Sequence, residues 1–316
     1  MNTRNNNLLR LWYDKPAEDW QTQALAIGNG YMGALVFGGV NNDKIHINEK
    51  TVWEGGPGGS INYNYGITNP IDTEEDLQKI KDNLNAIRER LEDKSQYVFG
   101  FDENSYQASG TDTKGEAMDE LNKLMGDLTG YEAPTDYANL YISNDQDASK
   151  VSNYVRDLDM HTALATVNYD YEGIHYTREY FNSYPDNIMA IRLSADTTAK
   201  ISFKTNLENL IGGSAYTNTI DGDTITMGDA LIGNGLKTEA QLKVINEGGS
   251  ISVSENNGIP AIRVSDADAV TLLFACGTDY KMELPAFRGE EPHTAVTGRI
   301  LAAAQKGYEA LKADHI

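Results

Sequence analysis

The sequence predicts a mainly β protein, a large antiparallel β-sandwich with inserted helices. Three observations carry that expectation. Short segments rich in β-branched and aromatic residues, several with period-2 alternation, recur from Leu140 to Cys276. Turn signals separate many of them, among them Glu172-Gly173, Asp221-Gly222, Glu247-Gly248-Gly249 and Asn256-Asn257-Gly258. Few helical patterns interrupt the series, whereas a parallel sheet needs a crossover helix between most strands.

The first element is a hairpin. Gly28-Asn29-Gly30-Tyr31-Met32-Gly33 has the spacing G-x-G-x-x-G, but a dinucleotide turn must open a helix that holds the pyrophosphate. Here Tyr31 to Val40 is strand-forming, with a Gly-Gly pair and no helix cap. Asn41-Asn42-Asp43 reads as a turn, and Lys44-Ile45-His46-Ile47-Asn48 alternates as a half-buried strand. The glycines therefore mark bulges or close backbone approach inside a hairpin.

The first helix is expected from about Asp72 to Leu91. Asp72 or Thr73 caps it, Glu74, Glu75 and Asp76 favour its N-terminal dipole, and Leu77, Ile80, Leu84, Ile87 and Leu91 share one face. A second, short helix is expected around Met118, Leu121, Leu124 and Met125, ending near Gly126, with a polar loop from Tyr97 to Lys114 before it. Strands follow at Val151–Met160, Thr162–Tyr171, Ile174–Phe181, Ile188–Leu193, Ile201–Lys204, Ala240–Ile245, Ile251–Val253, Ala261–Val264 and Val270–Cys276. Glu172-Gly173 fits a two-residue hairpin turn. Beyond Pro292 the pattern becomes helical from Ala295 to Ile316, with Ile300, Ala304, Tyr308 and Leu311 on one face; Gly307 falls too early to stop it. The expected division is residues 1–291 as sandwich and 292–316 as the start of a helical linker toward a further domain.

The chain has 316 residues, 40% of them hydrophobic, enough for a packed core in one large or two ordinary domains. Its net charge of −21 disfavours nucleic acid and anionic membrane surfaces. No apolar run approaches the roughly 20 residues of a membrane helix. Met1-Asn2-Thr3-Arg4-Asn5-Asn6-Asn7 lacks the apolar core of a signal peptide, which leaves the location of the protein open. The one cysteine, Cys276, follows Leu272-Leu273-Phe274-Ala275 and reads as an inert core thiol.

Chemistry is sparse. His46, His161, His175, His293 and His315 show no i, i+4 metal pair, so no metal ligand and no cofactor is expected. His46 and His175 read as surface or cross-strand residues. Asp221-Gly222-Asp223 reads as a turn, since the other ligands of a calcium loop are missing. There is no G-x-S-x-G elbow and no phosphate-cradling G-K-[ST]. The 18 tyrosines, with Trp12, Trp20 and Trp53, read mainly as half-buried strand residues; exposed rings would suit sugar stacking.

The order of segments resembles the N-terminal domain of glycoside hydrolase family 95, the inverting α-L-fucosidases and related α-L-galactosidases. The resemblance rests on Ala26-Ile27-Gly28-Asn29-Gly30-Tyr31-Met32-Gly33-Ala34-Leu35-Val36-Phe37-Gly38-Gly39-Val40 and on Ile45-His46-Ile47-Asn48-Glu49-Lys50-Thr51-Val52-Trp53-Glu54-Gly55-Gly56-Pro57. Tyr154-Val155-Arg156-Asp157-Leu158-Asp159 and Tyr176-Thr177-Arg178-Glu179-Tyr180-Phe181-Asn182-Ser183-Tyr184-Pro185-Asp186 also fit, and the likeness runs from about Leu11 to the C-terminal helix. Ala138-Asn139 stand where the family usually carries Gly-Asp.

The resemblance implies a β-supersandwich, then a helical linker, then a catalytic α/α barrel that holds the catalytic carboxylates. No catalytic residue is therefore assigned to this chain. It is expected to support a hydrolase acting on fucosylated or α-L-galactosyl oligosaccharides, with the barrel as its partner. The alternative is a stand-alone carbohydrate-binding sandwich. Asn48, Glu49 and Trp53 are the candidate site residues. After Ile47 the alternation breaks, and Gly55-Gly56-Pro57 shapes the following loop. Either Trp53 plugs the end of the sandwich, or these three residues face the barrel at the rim of its pocket.

Overall fold

A computed structural model describes residues 9–55, 73–92, 100–102, 105–109, 119–120, 131–211, 217–231, 234–283 and 287–316. They form two compact units, Met1–Glu54 with Ala133–Ile316, and Gly55–Glu132.

In chain order the strands before the inserted unit are β1 (Arg10–Tyr13), β2 (Leu25–Gly28), β3 (Met32–Val36), β4 (Asn42–Glu49) and β5 (Trp53–Gly55). Helix α1 (Glu74–Glu92), β6 (Gly100–Asp102), β7 (Ser105–Ser109) and β8 (Tyr131–Pro134) follow. Then come β9 (Ala138–Ser143), β10 (Val151–Asp159), β11 (Leu164–Tyr171), β12 (Ile174–Ser183), β13 (Ile188–Ala195) and β14 (Ile201–Asn209). The series closes with β15 (Thr217–Asp221), β16 (Thr224–Ala230), β17 (Lys237–Glu247), β18 (Ser250–Asn256), β19 (Ile259–Ala267) and β20 (Ala269–Thr278), and with helices α2 (Pro292–Lys306) and α3 (Tyr308–His315).

Two antiparallel sheets make the sandwich. One has nine strands in the order β1-β10-β11-β12-β13-β20-β17-β16-β15, the other seven in the order β18-β19-β14-β9-β4-β3-β2. Their inner faces meet in one core, with Ile45, Ile47, Leu140, Ile142 and Leu207 from the smaller sheet against Val167, Tyr180, Ile191, Leu242, Leu272 and Phe274 from the larger. Strands that touch only this core alternate: β4 buries Asp43, Ile45, Ile47 and Glu49 and leaves the residues between them more open. β13 and β20 read instead as continuous apolar runs, because both faces are covered. Ile188, Ala190, Leu273 and Ala275 point outward, away from the first core, into a second cluster with Val296, Ile300 and Ala303 of α2 and Tyr308 and Leu311 of α3. Each such fully buried large side chain contributes roughly 1.5–3 kcal/mol over an exposed one.

Gly307 corrects the expectation of one continuous C-terminal helix. At φ 80° it takes a conformation that favours glycine, its N–H closes on the Ala303 carbonyl, and the helix ends there. The redirected α3 then docks beside α2. Lys306 reaches Asp186 at 2.7 Å, Lys312 reaches Glu179 at 2.6 Å, and the Tyr308 hydroxyl donates to Glu179 at 2.8 Å. The apolar stripe is thus buried on the larger sheet.

The hairpin turn expected at Glu172-Gly173 is present, with both residues at positive φ. Asn41-Asn42-Asp43 is not a turn throughout: β4 begins at Asn42, and Asp43 is already a buried strand residue. β15 and β16, each with two Thr, are strands beyond those the sequence pattern predicts.

In the inserted unit, α1 begins two residues later than its earliest expected start, with Thr73 as the cap. Its hydroxyl accepts from the Asp76 N–H at 3.1 Å. Ile87 of the expected apolar face is buried, while Leu77 and Leu84 are exposed. Strands β6 and β7 pair antiparallel. Of the short helix expected around Met118 to Gly126, most lies outside the described residues.

Candidate functional site

The hairpin β2–β3 positions one wall of the site. Gly30, at φ 83°, makes its turn. The Asn29 carboxamide oxygen accepts from the N–H groups of Tyr31 and Met32 at 3.0 and 2.9 Å, and its nitrogen donates to the Ser183 carbonyl and the Asn187 carboxamide. The G-x-G-x-x-G run is therefore a cross-sheet anchor. A Cβ on Gly28 would sit 3.3 Å from the Met32 carbonyl, so close approach and positive φ account for two of its glycines.

Strand β4 supplies the site's carboxyl. Glu49 follows Ile45 and Ile47 on the inward phase and ends 9% exposed. One of its oxygens, Oε2, accepts from the Thr51 N–H at 2.7 Å and the Thr51 hydroxyl at 2.6 Å. Oε1 accepts no side-chain hydrogen bond from the described residues and faces the cleft, while the nearby Val52 N–H and Lys50 favour the charged carboxyl. Thr51 Oγ1 lies 2.5 Å from Thr278 Oγ1, which also accepts from the Tyr280 N–H. With Thr51 donating to Glu49, Thr278 donates to Thr51, so every proton in this chain is placed. The chain ties the end of β4 in one sheet to the end of β20 in the other. Burial pushes the Glu49 carboxyl above the usual range, against the Thr51 hydrogen bonds.

Glu49 opens into a cleft of about 180 Å³. Met32 and Cys276 give it an apolar floor. Arg299 on α2 donates one N–H to the Cys276 carbonyl at 2.9 Å and keeps the rest of its guanidinium without a partner among the described residues. Lys50 stands over the Tyr31 ring at 3.9 Å, and that ring stacks on Tyr184. Tyr280, 42% exposed, completes the mouth. Burial holds the Cys276 thiol well above its ordinary value, and the nearby Glu49 charge adds to this; the thiol is the expected inert core group.

The three predicted site residues do not converge. Glu49 lines the cleft. Asn48 occupies the opposite phase of β4 and is exposed. Trp53 is 46% exposed, its indole N–H donating to the Lys50 carbonyl at 2.9 Å. It does not plug the sandwich; Val52 and Tyr137, both fully buried, fill the adjoining core. Arg299, Asn187, Tyr31 and Tyr280 were missed. The phase of Glu49 after Ile45 and Ile47 was a readable sign of its burial, whereas the approach of Arg299 depends on how α2 docks. Among the described residues no group of three His, Cys, Asp or Glu side chains could hold a metal ion.

Two stacked antiparallel sheets of nine and seven strands, flanked by short helices, define the chain as a large β-sandwich domain. Residues 11–283 match the family described as Glycosyl hydrolase family 65, N-terminal domain, and the chain belongs to that family. Among curated relatives it is 26% identical to alpha-L-fucosidase 2 of Arabidopsis thaliana, over 98% of this chain and 35% of that protein. It is 27% identical to probable alpha-fucosidase A of Aspergillus niger, over 97% of this chain and 36% of that protein. The chain thus spans little more than a third of the length of these relatives. A putative kojibiose phosphorylase from human microbiome shares the fold, with a TM-score of 0.52 at 10% identity, covering 97% of this chain and 37% of that one.

Proposed function

We propose that this chain is the non-catalytic N-terminal domain of an α-L-fucosidase-like hydrolase of the family-95 kind. It supports a catalytic α/α barrel that acts on fucosylated or α-L-galactosyl oligosaccharides. The observation that carries this is the pair of coverages: fucosidases align with nearly the whole of this chain, and this chain with little more than a third of each. An inverting glycosidase holds its acid and base roughly 6.5–9.5 Å apart across the scissile bond. In this reading both come from the barrel, residues 292–316 lead toward it, and Asn48, Glu49 and Trp53 lie at its rim or at the contact between the domains.

The test compares the 316-residue chain with the parent protein on a chromogenic α-L-fucoside. The parent is expected to turn over with inversion, and the chain alone to show no turnover. Turnover by the chain alone, abolished by replacing a single carboxylate within it, would overturn the reading.

A further inference from the structure

We propose that the cleft between Glu49, Arg299 and Tyr280 binds a single neutral pyranose ring, independently of any catalytic domain. This goes beyond the supporting role above, which gives the sandwich no ligand of its own.

The cleft presents groups of both kinds that face solvent without a hydrogen bond to the described residues. Glu49 Oε1 accepts no side-chain hydrogen bond from the described residues, on a residue only 9% exposed. The remaining guanidinium N–H groups of Arg299 are donors without acceptors. The Asn187 carboxamide accepts from Asn29 through its oxygen, and its own N–H groups have no acceptor among the described residues. A cationic guest would meet Arg299 on one side and Lys50 on the other. An anionic guest would meet the Glu49 carboxylate in a protein of net charge −21. A neutral guest bearing both donors and acceptors satisfies all three open groups at once, and hydroxyls do both.

The walls select among neutral guests. Lys50 and Tyr184 both stand against the Tyr31 ring, so that ring serves as a fixed wall. The Tyr280 ring has no ring or cation contact among the described residues and is substantially exposed, which leaves it available for the C–H face of a pyranose. Met32 forms an apolar floor that suits a ring methyl or methylene group. A volume of about 180 Å³ lies below the usual range of roughly 300–1,000 Å³ for drug-sized ligands, which points to one ring. The cleft is also preformed. The Thr51–Thr278 link fixes Glu49 from β20, and the Asn29 anchor fixes Asn187, so little ordering is left to binding.

The experiment titrates methyl α-L-fucopyranoside into the 316-residue chain, followed by ligand-observed NMR and calorimetry. Saturable one-to-one binding is expected with Kd of about 1 mM. Tyr280→Ala should weaken it at least about tenfold, and Glu49→Gln about fivefold, with unchanged circular dichroism. Trp12→Ala, which removes an exposed ring elsewhere, should leave it intact. Absence of saturation by about 20 mM overturns the proposal. So does binding that both cleft variants leave unchanged, and so does preferential binding of N-acetyl-lysine methylamide, which would show a cation site. Loss of sugar binding in this chain leaves the fucosidase reading standing, and failure of the parent to hydrolyse fucosides leaves the cleft proposal standing.

Discussion

Asp43 and Glu49 stand near the two ends of one strand, on the same inward phase, and both are withdrawn from water. Their surroundings differ. Asp43 Oδ1 accepts from the N–H groups of Gly38 and Gly39 at 2.8 and 3.1 Å, and its Oδ2 from the Tyr180 hydroxyl at 2.5 Å and Arg178 at 3.3 Å. Arg178 also donates to the Gly39 and Val40 carbonyls at 2.7 Å each. Burial pushes the Asp43 carboxyl upward, while Arg178 and Tyr180 pull it down; Arg178 is lowered by burial, yet Tyr169, Tyr180 and Asp43 raise it above its ordinary value. Glu49 holds its firm hydrogen bonds on Oε2 alone, from Thr51, and makes no ion pair among the described residues. A carboxyl with both oxygens occupied is part of the frame. One with an oxygen open to a cleft is available to something else.

The largest expected effect falls on the satisfied end. Arg178→Met leaves Asp43 buried without its cation and should cost about 3–5 kcal/mol, read as a shift of the urea midpoint. A loss under about 1 kcal/mol would mean that the corner is held by the glycine N–H groups and the Tyr180 hydroxyl alone.

Gly39→Ala comes next. A Cβ there would lie 2.2 Å from the Asn42 carbonyl, so the start of β4 must shift. The expected cost is about 1–3 kcal/mol, by the same measurement. A neutral result would show that the approach of Asp43 to Gly38-Gly39 is not tightly fixed.

At the open end, Glu49→Gln should change stability by less than about 1 kcal/mol near neutral pH, because Gln keeps an acceptor for Thr51. The sign of its pH effect follows from burial. The folded protein holds the Glu49 proton more tightly than the unfolded chain does, so stability falls as pH rises from the ordinary glutamate value through the raised one. The variant should lack that fall, and thermal melts from pH 4 to 8 would check it. Equal slopes in the two proteins would mean that Glu49 is hydrated after all.

Trp53→Ala should have the smallest effect on stability, about 0.5 kcal/mol or less, since the ring is half exposed and makes one hydrogen bond. In the parent protein it should lower kcat/KM if Trp53 lies at the rim. Unchanged kinetics would remove Trp53 from the proposed rim.

The architecture was largely legible because period-2 patterning and Gly-containing turns are local signals. Glu172-Gly173 and Asn257-Gly258 take the positive φ values their residues favour. The buried polar frame was legible only in part. Arg178 falls in phase with Tyr176 and Tyr180, the inward residues of β12, and a charge in that phase signals a buried partner. Its partner Asp43 lies 135 residues away, a distance that alternation does not bridge, and its Asn-Asn-Asp context favours a turn. Likewise Glu49 was picked out where the alternation breaks, but Arg299, Asn187 and Tyr280 reach it only through the pairing of distant strands and the seat of α2. The break at Gly307 was written in the sequence; a lone glycine in an otherwise periodic helix is also tolerated, so it did not decide the matter.

β20 pairs with β13 on one side and β17 on the other, yet of the strands in its sheet it is the last to be synthesised. Without it the larger sheet can pair only as two separate ladders, β1-β10-β11-β12-β13 and β17-β16-β15, each with an open inner edge. Those edges are β13 and β17, whose stretches Ile188 to Ile191 and Ala240 to Leu242 are buried in the finished protein. Open apolar edges template unwanted pairing, and long-range closure is slow. The β13 border thus stays open from Ala195 and the β17 border from Glu247 until β20 begins at Ala269, and the ten residues of β20 convert both into interior at one stroke.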